Sequence, residues 1–273
     1  MFYRDTIVAG RTIMRSLKAA SRIKTDKQKR QPKQHPTSEA VMKVNFRNAV
    51  KILTAKLNHN FASGDYHIVL TYKGEAPDPE EARRRLKRFI ENMRSYCRRN
   101  NIEFKWVAVT EYEHKRIHHH IVMSKIDIGV IDKYWKHGYE YPRPLDETGN
   151  YYKLAEYLLK ETEKTFRKDD SPQKRRYSSS RNVVMPEVKR EKVSGREVDG
   201  YIKPPKGYYI DQDTVRKYDH AILNVECMEY IMVSTEEEPR LKRWPKGKAV
   251  SPRESYKDYE RQISMEDMYE LQF

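Results

Sequence analysis

Cysteine is almost missing: Cys97 and Cys227 are the two in 273 residues. Two thiols build neither a disulfide framework nor a cysteine-ligated zinc site, so reduced thiols in the cytosol are the expectation. Long apolar runs are missing too. None approaches a transmembrane helix, and residues 1–13 are too polar for a signal peptide, so no membrane role is expected. Hydrophobic residues make up only 37% of the chain, which implies a modest core and some unpacked segments. There is no Gly-x-x-x-x-Gly-Lys-Ser/Thr loop and no aromatic ribonucleoprotein motif. Acid is the scarcer charge, 40 Asp and Glu against 55 Lys and Arg, a net charge of +15. A surplus of that size calls for a polyanionic partner, nucleic acid first and an anionic membrane second.

What is present centres on Arg116-Ile117-His118-His119-His120-Ile121-Val122-Met123. This run, and Trp106-Val107-Ala108-Val109-Thr110 before it, read as two strands of a hairpin. Alternation along a strand sends His118 and His120 to one side and His119 to the other. Glu111 and Glu113 are a second alternating pair on the partner strand. A carboxylate facing two imidazoles is a plausible ligand set for a divalent metal. The same run also fits an exposed histidine stretch that binds metal adventitiously.

The rest of the chain divides by composition. Residues 1–36 read as a basic, disordered arm, because 22–34 is polar and lacks apolar periodicity. A core is expected over 37–165. It starts with a helix capped by Thr37 or Ser38 and carrying Val41, Val44, Ala49, Ile52, Leu53 and Leu57. His67-Ile68-Val69-Leu70-Thr71-Tyr72 is a strand. A loop at 74–79 leads to a helix over 80–99 with Leu86, Phe89, Ile90, Met93 and Cys97 as its apolar stripe. A short helix over 130–136 is expected to stop at Gly138. Residues 166–200 read as a charged, serine-rich linker, 201–233 as an extension of the core, and 234–273 as a charged tail.

Good helix formers dominate from Lys153 in the stretch 148–161. Lys153, Tyr157 and Lys160 then share one face at i, i+4 and i+7. A phenol between two ammonium groups has a stabilised phenolate and a phosphate-binding setting, as an attacking tyrosine needs. The alternative is an amphipathic helix whose Tyr157 packs on the sheet, one of 20 tyrosines in the chain.

In order, the strand at 67–72, the His-x-His strand at 118–120 and Tyr157-Leu158-Leu159-Lys160 resemble three motifs of the HUH endonucleases. Within these they resemble the rolling-circle replication initiator (Rep) proteins of bacterial plasmids and single-stranded DNA phages. The resemblance covers roughly 58–165. It implies an α+β fold, a central antiparallel sheet of about five strands flanked by helices. It also implies Mg2+ or Mn2+ held by His118, His120 and Glu111, the last preferred over Glu113 because it sits further inside its strand. Tyr157 would be the nucleophile, nicking single-stranded origin DNA to leave a 5′-phosphotyrosine link, with Lys160 positioning the phosphate. Lys153, Arg116 and Lys115 are the expected DNA contacts. The pattern departs from the family at His119, where a bulky hydrophobic residue is usual. A second catalytic tyrosine is also missing, since position 153 is Lys and Tyr151 and Tyr152 lie too near the helix start.

The expected function is therefore a metal-dependent single-strand nickase and strand transferase that initiates rolling-circle replication in the bacterial cytosol. A host helicase and polymerase are the expected partners. Competing readings are a small relaxase or single-strand transposase with the same chemistry, and a non-catalytic DNA-binding protein.

Overall fold

The structure, a computed structural model, describes residues 2–19, 39–112, 116–163, 175–194, 202–219 and 225–236. It divides into two compact units. One comprises Met1–Ala55 with Met185–Phe273, and the other Lys56–Val184. Helix α1 (Glu39–Asn60) begins in the first unit, and its residues from Lys56 belong to the second. Among the described residues no helix is long and apolar enough to cross a membrane.

The second unit is built on the expected five-stranded antiparallel sheet. Its strands are β3 (Tyr66–Leu70), β4 (Trp106–Glu111), β5 (His118–Met123), β6 (Glu140–Pro144) and β7 (Ser178–Ser179), in the order β6-β3-β5-β4-β7. Helix α2 (Pro79–Arg99) starts where Asp78 accepts hydrogen bonds from the amides of Glu80 and Glu81, with proline as first helical residue. It buries Leu86, Phe89, Ile90, Met93 and Cys97, the stripe expected from periodicity, plus Ala82. These side chains meet Ile68, Leu70, Ala108, Ile121 and Met123 on one sheet face. Each large side chain removed from water contributes roughly 1.5–3 kcal/mol.

Helix α3 (Ile128–Tyr134) ends before the position expected from Gly138. Gly138 serves a different purpose. A Cβ there would lie 2.1 Å from the Thr71 carbonyl oxygen, so only glycine lets the chain pass the end of β3. The pass brings Tyr139, whose carbonyl accepts from the Thr71 amide at 2.9 Å, to the residue just before β6. Helix α4 (Tyr152–Thr162) buries Ala155, Leu158, Leu159 and Thr162 and packs on β4.

The first unit corrects the expected boundaries. Within the supposed disordered arm 1–36, β1 (Phe2–Ala9) and β2 (Thr12–Ala19) form a tight hairpin; residues 20–36 lie outside the described residues. Within the supposed linker 166–200, β7 joins the second unit's sheet and β8 (Val188–Val193) pairs with β1. The supposed core extension 201–233 supplies β9 (Tyr208–Asp219) and most of β10 (Glu226–Ser234), strands of the first unit's own sheet, ordered β8-β1-β2-β10-β9. The tail from 237 lies outside the described residues. Charge misled the composition argument, because these charges are paired. Arg190 clamps the buried Asp5 carboxylate at 2.6 and 2.8 Å. Lys51 binds Glu229 at 2.8 Å and also reaches Ser16.

Burial alone would raise the Glu229 carboxyl, but Lys51, Lys18 and Arg216 outweigh it and hold it at about 2, below the usual 4.5. A depressed carboxylate stabilises the fold above about pH 4.5 and loses that contribution as pH falls toward 2. Lys51→Met is expected to cost about 3 kcal/mol near neutral pH in urea unfolding, with the gap to the parent narrowing below pH 4.5 and closing as pH approaches 2.

Candidate metal centre

Register places the candidate residues. Glu111 pairs with His118 and Val109 with His120 between β4 and β5, and Val69 pairs with His120 between β3 and β5. Directly paired residues project from the same face. Glu111, His118 and His120 therefore share the face opposite α2, as alternation predicts. His118 Nε2 lies 3.1 Å from Glu111 Oε2 and 3.1 Å from His120 Nε2. One ligand atom from each of the three residues falls within 4.8 Å of the others. Glu113, the other candidate carboxylate, lies outside the described residues, as does Lys115.

The hydrogen bonds around this cluster set its chemistry. His118 Nδ1 lies 3.0 Å from the Arg116 carbonyl, which can only accept, so Nδ1 carries a proton and, in the neutral ring, Nε2 holds the lone pair. His120 Nδ1 lies 3.2 Å from His67 Nε2, and the two rings stack at 5.4 Å. With His120 Nδ1–H donating to His67, the Nε2 atoms of His118 and His120 and the Glu111 carboxylate all turn electron pairs toward one point. Burial lowers His120 to about 3, assisted by His67 and His118. Burial with Arg143 nearby lowers His67 to about 4. Both imidazoles are thus neutral at physiological pH, the form that ligates metal. The donor set, two imidazoles and a carboxylate with a third imidazole, His67, behind His120, fits a divalent cation with positions left for further oxygen ligands.

His119 takes the opposite face. It is fully buried, with Nε2 2.7 Å from the Tyr72 hydroxyl and Nδ1 2.8 Å from the Thr110 hydroxyl. Either tautomer satisfies both partners, and no lone pair remains for a metal. Burial, then the neighbouring His118 and His120, lowers it to about 3. His119 fills the space that a bulky hydrophobic residue would occupy and satisfies the buried Tyr72 and Thr110 at the same time.

Helix α4 carries Tyr157 over the cluster. Its ring stands perpendicular to His120, centroids 5.3 Å apart, and edge-on to His67 at 6.5 Å, while 45% of the residue stays exposed. Tyr157 is therefore not consumed by packing. Tyr151 is: it is buried, its amide donates to Asn58 and its hydroxyl to the Asp146 carbonyl at 3.3 Å. Tyr152 is the first residue of α4 and half-buried. Lys153 and Lys160 are exposed on the helix that holds Tyr157. Arg116 precedes β5 and donates to the Tyr72 carbonyl at 3.1 Å and to the Gly74 carbonyl.

His67 is the site residue that sequence reasoning missed. The signal was present in the strand at 66–70, where His67 and Val69 share a face, but only the pairing of Val69 with His120 reveals which face that is.

Residues 65–166 match the family of the replication-associated protein ORF2. No curated protein and no solved structure matches the chain.

Calorimetric titration with Mn2+ tests the centre. His118→Ala, His120→Ala and Glu111→Gln should each weaken binding by more than His67→Phe, for which a loss of roughly 10–100-fold is expected. His119→Leu should leave affinity unchanged and alter only the unfolding midpoint.

Proposed function

We propose that this chain, whose residues 65–166 match a family of replication-associated proteins, is a metal-dependent nickase and strand transferase of the rolling-circle type, acting on single-stranded origin DNA. The observation that carries this reading is the Tyr157 ring standing 5.3 Å from His120, half-exposed, above a cluster of two imidazoles and a carboxylate. A nucleophile and a cation site meet there on a sheet and a helix, both rigid supports.

Glu111, His118 and His120 would hold Mg2+ or Mn2+, which when bound offsets negative charge on the scissile phosphate. The imidazole pair favours Mn2+ of the two. Tyr157 attacks phosphorus with its phenolic oxygen. The Tyr157 oxygen–phosphorus bond forms as the bond from phosphorus to the 3′ oxygen breaks. The phenolic proton passes to water, which reaches the exposed ring, and the 3′ oxygen leaves as a hydroxyl that a polymerase can extend. The covalent 5′-phosphotyrosine retains the energy of the cut bond for a second transfer. Lys160, one turn beyond Tyr157, and Lys153, one turn before it, supply positive charge for the phosphoryl oxygens. His67 holds the His120 ring in the ligating tautomer. Unwinding falls to a host helicase, because the chain carries no nucleotide-binding loop.

Incubation of the protein with origin single strand and Mn2+, followed by a denaturing gel, should show a covalent adduct. Tyr157→Phe and a chelator should each abolish it. An adduct that survives Tyr157→Phe would move the nucleophile to another tyrosine. Tight binding without any adduct would leave a non-catalytic DNA-binding protein.

A further inference from the structure

A cleft of about 470 Å3 opens beside the metal cluster and shares His118 with it; Lys73, Arg116, Tyr139 and Tyr141 also line it. Its outer wall is the edge strand β6. On that strand Tyr141 pairs with Val69 and Arg143 with His67, so both project from the face that carries the histidines. Tyr139, two residues before Tyr141, continues the series. The two tyrosines are 54% and 53% exposed. Same-face positions on a strand are ~6.8 Å apart, a spacing that suits successive bases of an extended single strand.

The edge is unsuited to a peptide strand. Pro142 and Pro144 occupy the alternate positions of β6, removing the backbone donors that an added strand would need. What the strand offers is side chains: two aromatic faces and Arg143, with Lys73 and Arg116 across the cleft. Two carbonyls hold the Arg116 guanidinium at the rim, which leaves its planar fork pre-ordered for a phosphate. Exposed aromatics interleaved with cations make a stacking platform for unpaired bases, whereas a duplex keeps its bases stacked on each other.

We infer that the β6 face and its cleft form a track for single-stranded DNA, with Tyr139 and Tyr141 stacking on bases flanking the scissile phosphate and Lys73, Arg116 and Arg143 contacting the backbone. The position of the scissile phosphate rests on the nickase reading; the track itself does not. Stacking is tolerant of base identity, so this surface supplies grip and direction rather than origin choice.

The test is fluorescence anisotropy of the full-length protein in chelator, where no strand can be cut, with labelled oligothymidylate, a hairpin duplex and oligouridylate. Tyr139→Ala and Tyr141→Ala should each weaken oligothymidylate binding by roughly fivefold or more, with the Phe variants within about twofold of the parent and duplex binding unmoved. Unchanged single-strand affinity in both alanine variants would overturn the track. So would equal losses on duplex and single strand, which mark a general folding or charge defect. A clear preference for oligouridylate would replace DNA by RNA as the occupant and overturn the assignment. If the Mn2+ adduct fails to form while the tyrosine-dependent binding holds, the nickase reading falls and the track stands.

Discussion

A slip of β5 by one residue against β4 would turn His118 and His120 into the core and leave His119 alone among the site residues. Strand pairing has a period of two, so register decides which chemistry this sheet can perform. Several contacts fix it on the core side, where Ile121 and Met123 pack with Ile68, Leu70 and Ala108 under α2. His119 adds a polar lock, since its two nitrogens meet Tyr72 and Thr110 only in this alignment. A hydrophobic residue at that position would fill the space, but it would remove one hydrogen bond each from Thr110 and Tyr72. Three consecutive histidines thus divide into two jobs by geometry, one residue holding the core and two facing the site.

The surroundings of the cluster separate its electrostatics from its access. His120 and His67 are desolvated enough to stay neutral, which keeps lone pairs available for a cation. Tyr157 lies against the same rings yet remains half-exposed, so a substrate can approach the phenol from solvent. Cationic side chains crowd the approaches rather than the centre: Lys153 and Lys160 lie on α4, and Arg143 on the edge strand. This arrangement gathers positive charge around the approaches while burial keeps His120 and His67 neutral beside Glu111.

Local periodicity made the site's framework legible in the sequence. Alternation separated His118 and His120 from His119, the α2 stripe named the helix that covers the core face, and helical spacing put Tyr157 between two lysines. Non-local pairing was not legible. His67 sits in a strand whose partner lies some fifty residues away, and no property of 66–70 alone says that His120 will be its neighbour. The first unit was hidden for a related reason. Strands β1 and β2 pair with β8 and β10 from the far end of the sequence, and nothing local to Asp5 or Glu229 names Arg190 or Lys51 as its partner. Gly138 was read as a helix stop, whereas the need for glycine comes from the Thr71 carbonyl across the turn.

Anomalous diffraction from a crystal of the protein grown with Mn2+ tests the central claim most directly. One strong peak should lie within bonding distance of His118 Nε2, His120 Nε2 and a Glu111 carboxylate oxygen, with His119 still bonded to Tyr72 and Thr110 on the other face of the sheet. A peak ligated by His119, or full Mn2+ loading elsewhere with none at this cluster, would contradict the account.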